Sequence, residues 1–267
     1  MADLSRFSLE GKVALITGGS RGIGRATAIG FIKAGAAGVA ITSRKQADLD
    51  VVADEIRQIG GKALPIEAHG ARMENLGKLV DTVVKEYGKL DILVNNAGTT
   101  PAMASVLETE ERLWDAIIGL NLKGLYFLSQ AAARVMKEKG GGAIINVASS
   151  DGFRASQGRS VYSISKAAVM MVTKAFAGEL ARYNIRVNCI APGAVDTKLL
   201  RNIWTNLPKE QQENVTSQMG SRVPLGHMGQ PDEMVGAMIY FASDASSYCT
   251  GQTILIDGGG SVAGAGG

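Results

Sequence analysis

The sequence predicts an α/β fold in one domain: a doubly wound parallel sheet with helices on both faces. Two observations carry this. Short runs that are apolar throughout alternate with stretches of helical periodicity. And the 267 residues contain neither a linker nor an internal repeat.

The elements follow in order. "KVALITGG" is a buried strand ending in glycines, and "GIGRATAIGFIKAG" a helix that stops at Gly35. "GVAITS" is the second strand, 47–59 the second helix, "KALPIEA" the third strand and 73–87 the third helix. "LDILVNNAG" is the fourth strand, and a long helix covers about 110–139. "GAIINVASS" is the fifth strand, with a helix from 160 onward. "IRVNCIAPG" is the sixth, "QPDEMVGAMIYFAS" a helix with Pro231 in its first turn, and "QTILIDGG" the last strand. In such a sheet, ligands bind beyond the carboxyl ends of the strands.

Composition narrows the function. With 46% hydrophobic and 20% charged residues the chain can bury a core. A net charge of +3 without blocks of like charge points away from nucleic acid. Cys189 and Cys249 form neither a disulfide framework nor a metal motif, so no metal is expected. The N-terminus lacks a signal-peptide pattern and the apolar runs are too short to span a membrane, so a cytoplasmic protein is expected. Residues 260–267 read as a mobile tail.

"TGGSRGIG" joins the first strand to the first helix. Gly18, Gly22 and Gly24 let backbone amides approach a pyrophosphate at the helix N-terminus. About twenty residues on, an acid would take the ribose 2′-hydroxyl of NAD. Ser43, Arg44 and Lys45 stand there instead, and Arg21 lies in the loop itself. Arg offers a 2′-phosphate a fork of donors, so NADPH is expected, with NAD(H) the alternative.

Tyr162 and Lys166 sit four apart, on one helix face. A phenol beside an ammonium can do acid–base work on an alcohol or carbonyl. Ser149 at the end of the fifth strand and Asn121 in the long helix are further polar residues in apolar settings.

With "NNAG", "GLNLKG", "NVASS", "YSISK" and "PGAVDT", these motifs make nearly the whole chain resemble the short-chain dehydrogenases/reductases. The "AHG" after the third strand is similar to the NADP-dependent carbonyl-reductase branch that includes retinal reductases. The resemblance implies a Rossmann-type domain with a seven-stranded parallel sheet, assembled as a homotetramer or dimer through its long helices. It makes Tyr162 the acid–base, Lys166 its activator and a ribose ligand, Ser149 the polariser of the substrate oxygen, and Asn121 the holder of a relay water. Ser20 and Ile23 join the glycine-loop contacts. Asn95, Ala97 and Gly98 would line the adenosine and ribose side, with His69 near the adenine in place of the family's usual Asp. Pro192, Gly193, Val195 and Thr197 would hold the nicotinamide.

The family keeps its substrate lid at about 198–224. Leu199, Leu200, Ile203, Trp204 and Leu207 there imply a small-molecule substrate with an apolar part, and Thr99, Thr100, Asp151 and Phe153 are further lining candidates. Arg201 and Arg222 leave an acid open. Alternatives are a 3-oxoacyl-thioester reductase and a nucleotide-binding regulator without turnover.

Overall fold

The computed structural model describes residues 4–205 and 207–262. Seven strands form one all-parallel sheet: β1 (Val13–Thr17), β2 (Gly38–Ser43), β3 (Ala63–Glu67), β4 (Ile92–Asn95), β5 (Gly142–Val147), β6 (Ile185–Pro192) and β7 (Thr253–Ile256). Their order is β3-β2-β1-β4-β5-β6-β7. The winding reverses between β1 and β4, the point where such sheets open a crevice.

The helices are α1 (Gly22–Lys33), α2 (Gln46–Gln58), α3 (Met73–Tyr87), α4 (Glu111–Ile118), α5 (Leu125–Glu138), α6 (Ser160–Leu180), α7 (Lys198–Arg201), α8 (Lys209–Ser221) and α9 (Val235–Ala242). Phe31 of α1, Ile56 of α2 and Phe241 of α9 pack on one sheet face with Ile16, Ile41 and Ile145. Val83 of α3, Met136 of α5 and Ala177 of α6 cover the other with Leu15, Leu93 and Val187. The expected single doubly wound domain is therefore the observed one.

The long helix differs from its expectation. It is interrupted by a π-helical segment, Gly119–Gly124, which contains Asn121. π-Bulges collect at functional sites. The loop after β3 presses on this segment: a Cβ on Gly124 would lie 2.0 Å from the Gly70 carbonyl oxygen, so only glycine fits. Helical periodicity is blind to this, because the residues on either side of the bulge keep their apolar pattern.

Beneath the sheet edge runs a buried polar ladder. Asn95 of β4 donates to Ser129 Oγ of α5 at 2.8 Å and to Asn146 Oδ1 of β5 at 2.9 Å. Asn146 donates in turn to Thr173 Oγ1 of α6 at 2.9 Å. Ser129 and Thr173 hand their own protons to the carbonyls of Leu125 and Val169.

Of the expected C-terminal tail, Gly260 and Ser261 donate backbone hydrogen bonds to the carbonyl and side chain of Asp257. Residues 263–267 lie outside the described residues.

Candidate active site

A cleft of about 760 Å³ runs along the carboxyl ends of β1, β2, β4, β5 and β6, within the usual range for ligand sites. Its first part is the glycine loop. Gly18 has φ +66°, and a Cβ there would sit 2.8 Å from Asn96 Nδ2. Asn96 donates to the carbonyls of Thr17 and Gly18. The Thr17 hydroxyl accepts from the Asn96 and Ala97 amides, both at 3.0 Å, and donates to Val94. Thr17 and Asn96 thus staple the loop to β4. Sequence reasoning passed over both, although "NNAG" held the clue: two adjacent side chains on a strand end face opposite ways, Asn95 into the ladder and Asn96 into the loop.

At the start of α1, Arg21 makes no side-chain cap. The first-turn N–H groups therefore remain available to an anion. Gly18, Ser20, Arg21, Gly22 and Ile23 line the cleft, whereas Gly24 does not. Gly24 is buried, and a Cβ on it would fall 2.4 Å from the Gly18 carbonyl oxygen, so its part is to let helix and loop close together.

Arg44 and Ser43 line the cleft beside Arg21, and Lys45 lies off its wall. Among the described residues, neither Arg21 nor Arg44 has an ion-pair partner. Among the described residues, the only lining carboxylates are Asp151 and Asp257, on segments after β5 and β7. His69 also lines the cleft, with Nδ1 accepting from the Ala71 amide at 3.2 Å. Asn95, Ala97, Gly98, Pro192, Gly193, Val195 and Thr197 are on the wall. An uncapped helix start, a glycine cradle and two free guanidiniums fit a dinucleotide.

The proposed catalytic residues meet in the middle. Lys166 is buried and donates from Nζ to the Val147 carbonyl at 2.7 Å. Burial pulls its pKa down to about 8, with Cys189 opposing. Tyr162 is 6% exposed on the cleft wall. Burial raises its phenol above the ordinary tyrosine range; the Arg159 guanidinium is the largest opposing influence, followed by a hydrogen bond with Ser149. Lys166 Nζ stands 5.6 Å from the ring centroid, but Arg159 Cζ stands at 4.4 Å. Measured to the ring centroid, Arg159 is nearer than Lys166, the cation expected to act on the phenol.

Asn121 is off the wall. Its Oδ1 accepts from the Thr99 amide at 2.8 Å, and Nδ2 donates to the Thr99 carbonyl and to Ser165 Oγ. The side chain thus pins the Thr99 loop onto α6.

Beyond Tyr162 the wall turns apolar with Pro101, Leu199, Leu200, Met219 and Val223. Thr99 and Asp151 line it as expected, but Thr100, Phe153, Ile203, Trp204 and Leu207 do not. Trp204, between α7 and α8 in the chain, is 6% exposed and buried away from this wall. Arg201 forks onto Asp196 and is not available to a substrate. Arg222 lines the cleft, as do Arg154 and Arg159, which the sequence reading had not singled out.

Comparison with known proteins agrees with this fold. The family model described as Enoyl-(Acyl carrier protein) reductase matches residues 18–261. The chain is 41% identical to a 3-oxoacyl-[acyl-carrier-protein] reductase of Thermotoga maritima, covering 94% of this chain and 98% of that one. A short-chain type dehydrogenase/reductase from Mycobacterium marinum superposes with a TM-score of 0.88 at 42% identity, over 96% of this chain and 98% of that one. A gluconate 5-dehydrogenase from Burkholderia cenocepacia, solved with NADP and tartrate, gives 0.88 at 36% identity over 97% and 98%.

Proposed function

The chain belongs to the short-chain dehydrogenase/reductase family, an NAD(P)-dependent oxidoreductase of CH–OH and C=O groups, and on that footing we propose that it is an NADPH-preferring reductase of carbonyl compounds with an apolar part. The observation that carries this reading is the Tyr162–Ser149 pair facing the cleft between a dinucleotide cradle and an apolar wall.

A bound nicotinamide supplies the hydride or takes it back. The residues do the rest. Ser149 and Tyr162 hold the carbonyl oxygen by hydrogen bonds, aimed where negative charge develops. Tyr162 passes its proton to that oxygen and recovers one from solvent. Lys166, anchored on Val147, faces the ribose. Asn121 keeps the Thr99 loop against α6. Gly18, Ser20 and Ile23 carry the diphosphate, and Arg21, Ser43 and Arg44 the 2′-phosphate. Residues 198–224 serve as the substrate lid, with Leu199 and Leu200 turned inward.

A second reading has its own support. Arg154 and Arg222 are exposed on the cleft wall and would suit the phosphate of a carrier-bound 3-oxoacyl thioester, the substrate named for the Thermotoga relative. A panel of ketones and acetoacetyl thioesters assayed with both cofactors separates the two. Faster NADPH oxidation with simple ketones is the expected result. A preference for thioesters transfers the assignment to the second reading, and no turnover of either removes the first.

We also propose a homotetramer or homodimer through the long helices. Tyr126 and Phe127 of α5 and Ile164 and Met171 of α6 are each at least 40% exposed, a large apolar face for a lone chain. Phe127→Glu with Met171→Glu should yield monomers by light scattering, and an unchanged mass would place the interface elsewhere. The two unbridged cysteines suit a reducing cytoplasm, which cell fractionation checks.

A further inference from the structure

The segment between β5 and α6 contains an ion pair that the mechanism above does not use. Arg159 Nη1 lies 2.9 Å from Asp151 Oδ2, with the two side chains only 17% and 12% exposed. Asp151 is held on its other side, where Oδ1 accepts from Ser156 Oγ at 2.9 Å. Its backbone amide donates to Ser149 Oγ at 3.2 Å. The same loop therefore fixes the serine that faces the substrate and the carboxylate that grips the arginine.

The pairing is geometrically incomplete. Arginine and carboxylate normally meet fork to fork. Here Asp151 Oδ2 and Arg159 Nε are buried without a hydrogen-bond partner among the described residues. The guanidinium has forgone the fork and lies with Cζ 4.4 Å from the centroid of the Tyr162 ring. Unsatisfied buried groups in a native fold call for an explanation, and the phenol supplies one: the guanidinium lies over the Tyr162 ring, where its charge acts on the phenol.

We propose that Arg159, clamped by Asp151, is a further positioning residue that supports proton exchange at Tyr162, alongside Lys166. The inference rests on Tyr162 being the acid–base group. When Tyr162 gives its proton to the carbonyl oxygen, the phenolate left behind gains the guanidinium's charge. In alcohol oxidation the same charge maintains the phenolate that accepts the proton.

The charged groups that bear on the phenol are few. Arg159 lowers and Asp151 raises its proton affinity. Lys166 is one turn along α6, 5.6 Å from the ring centroid. From β6, Cys189 acts on Lys166, and burial pushes its thiol up to about 11, so it is neutral near pH 7.

The two partners of the pair should therefore move Tyr162 in opposite directions, which a merely structural role could not do. Ionisation of Tyr162 in the cofactor-free full chain is read by ultraviolet difference titration, each variant against the same variant carrying Tyr162→Phe. Arg159→Gln should raise the midpoint by about one unit or more. Arg159→Lys should restore it, and Asp151→Asn should lower it. The rising limb of alcohol oxidation against pH should shift the same way in each variant. Unmoved midpoints, or shifts of one sign in Arg159→Gln and Asp151→Asn, overturn the proposal. Opposed shifts in the titration, in a chain that turns over no carbonyl, would sustain it while removing the catalytic reading of Tyr162.

Discussion

Tyr162→Phe should lower turnover with the best carbonyl substrate by roughly 10²- to 10⁴-fold, the usual contribution of a positioned acid or base. The ring, on α6, is buried beneath Arg159, so phenylalanine fills the same space and the fold should survive. What is lost is the one proton beside Ser149. Cofactor binding should change little, because Lys166 keeps its anchor on Val147 and the glycine loop is untouched. NADPH titration by fluorescence and single-turnover kinetics separate the two effects. A variant that kept turnover within about threefold would exclude Tyr162 as the general acid.

The second large effect is on cofactor choice. Arg44→Asp removes a guanidinium that has no ion-pair partner among the described residues and places a carboxylate at the end of β2. A hydrogen bond to a charged group contributes about 1.5–3 kcal/mol, so NADPH should bind roughly 10- to 150-fold more weakly. Repulsion from the new carboxylate adds to that loss. NADH, without a 2′-phosphate, should be little affected and gains an acceptor for its ribose hydroxyl. Calorimetric titration with both cofactors gives the comparison, and equal weakening of the two would assign Arg44 a role other than phosphate recognition.

Local chemistry explains which parts of this site were legible in the sequence. Gly18 and Gly22 could be read because a strand–glycine–helix junction has few alternative uses, and Ser43 and Arg44 because an expected acid was missing there. Tyr162 and Lys166 were legible by helical spacing, but not the cation that lies nearest the ring. Arg159 looked like an ordinary loop residue, and only the turn after β5 brings it over the phenol. Asn121 stood out as polar in an apolar helix, yet its partners are the backbone of Thr99 and the hydroxyl of Ser165, which no spacing rule connects. The π-helical segment stayed hidden because a wide turn leaves the apolar pattern intact. In the lid, Leu199 and Leu200 were separable from Trp204 only by how α7 packs.

The polar ladder from Ser129 through Asn95 and Asn146 to Thr173 has a consequence for how the sheet finds its alignment. β1, β4 and most of β5 are buried on both faces. A strand greasy on both sides can slide by one residue without exposing anything new, so alternation gives little protection against misalignment. Asn95 stands directly opposite Asn146 in the β4–β5 pairing. A one-residue slip would strand each amide in an apolar interior, at about 1–3 kcal/mol for every unsatisfied group. The ladder acts as a key cut into otherwise smooth strands: only one alignment turns the lock, and it is the one that sets the ends of β4 and β5, with Ser149 just beyond, at the right height for chemistry.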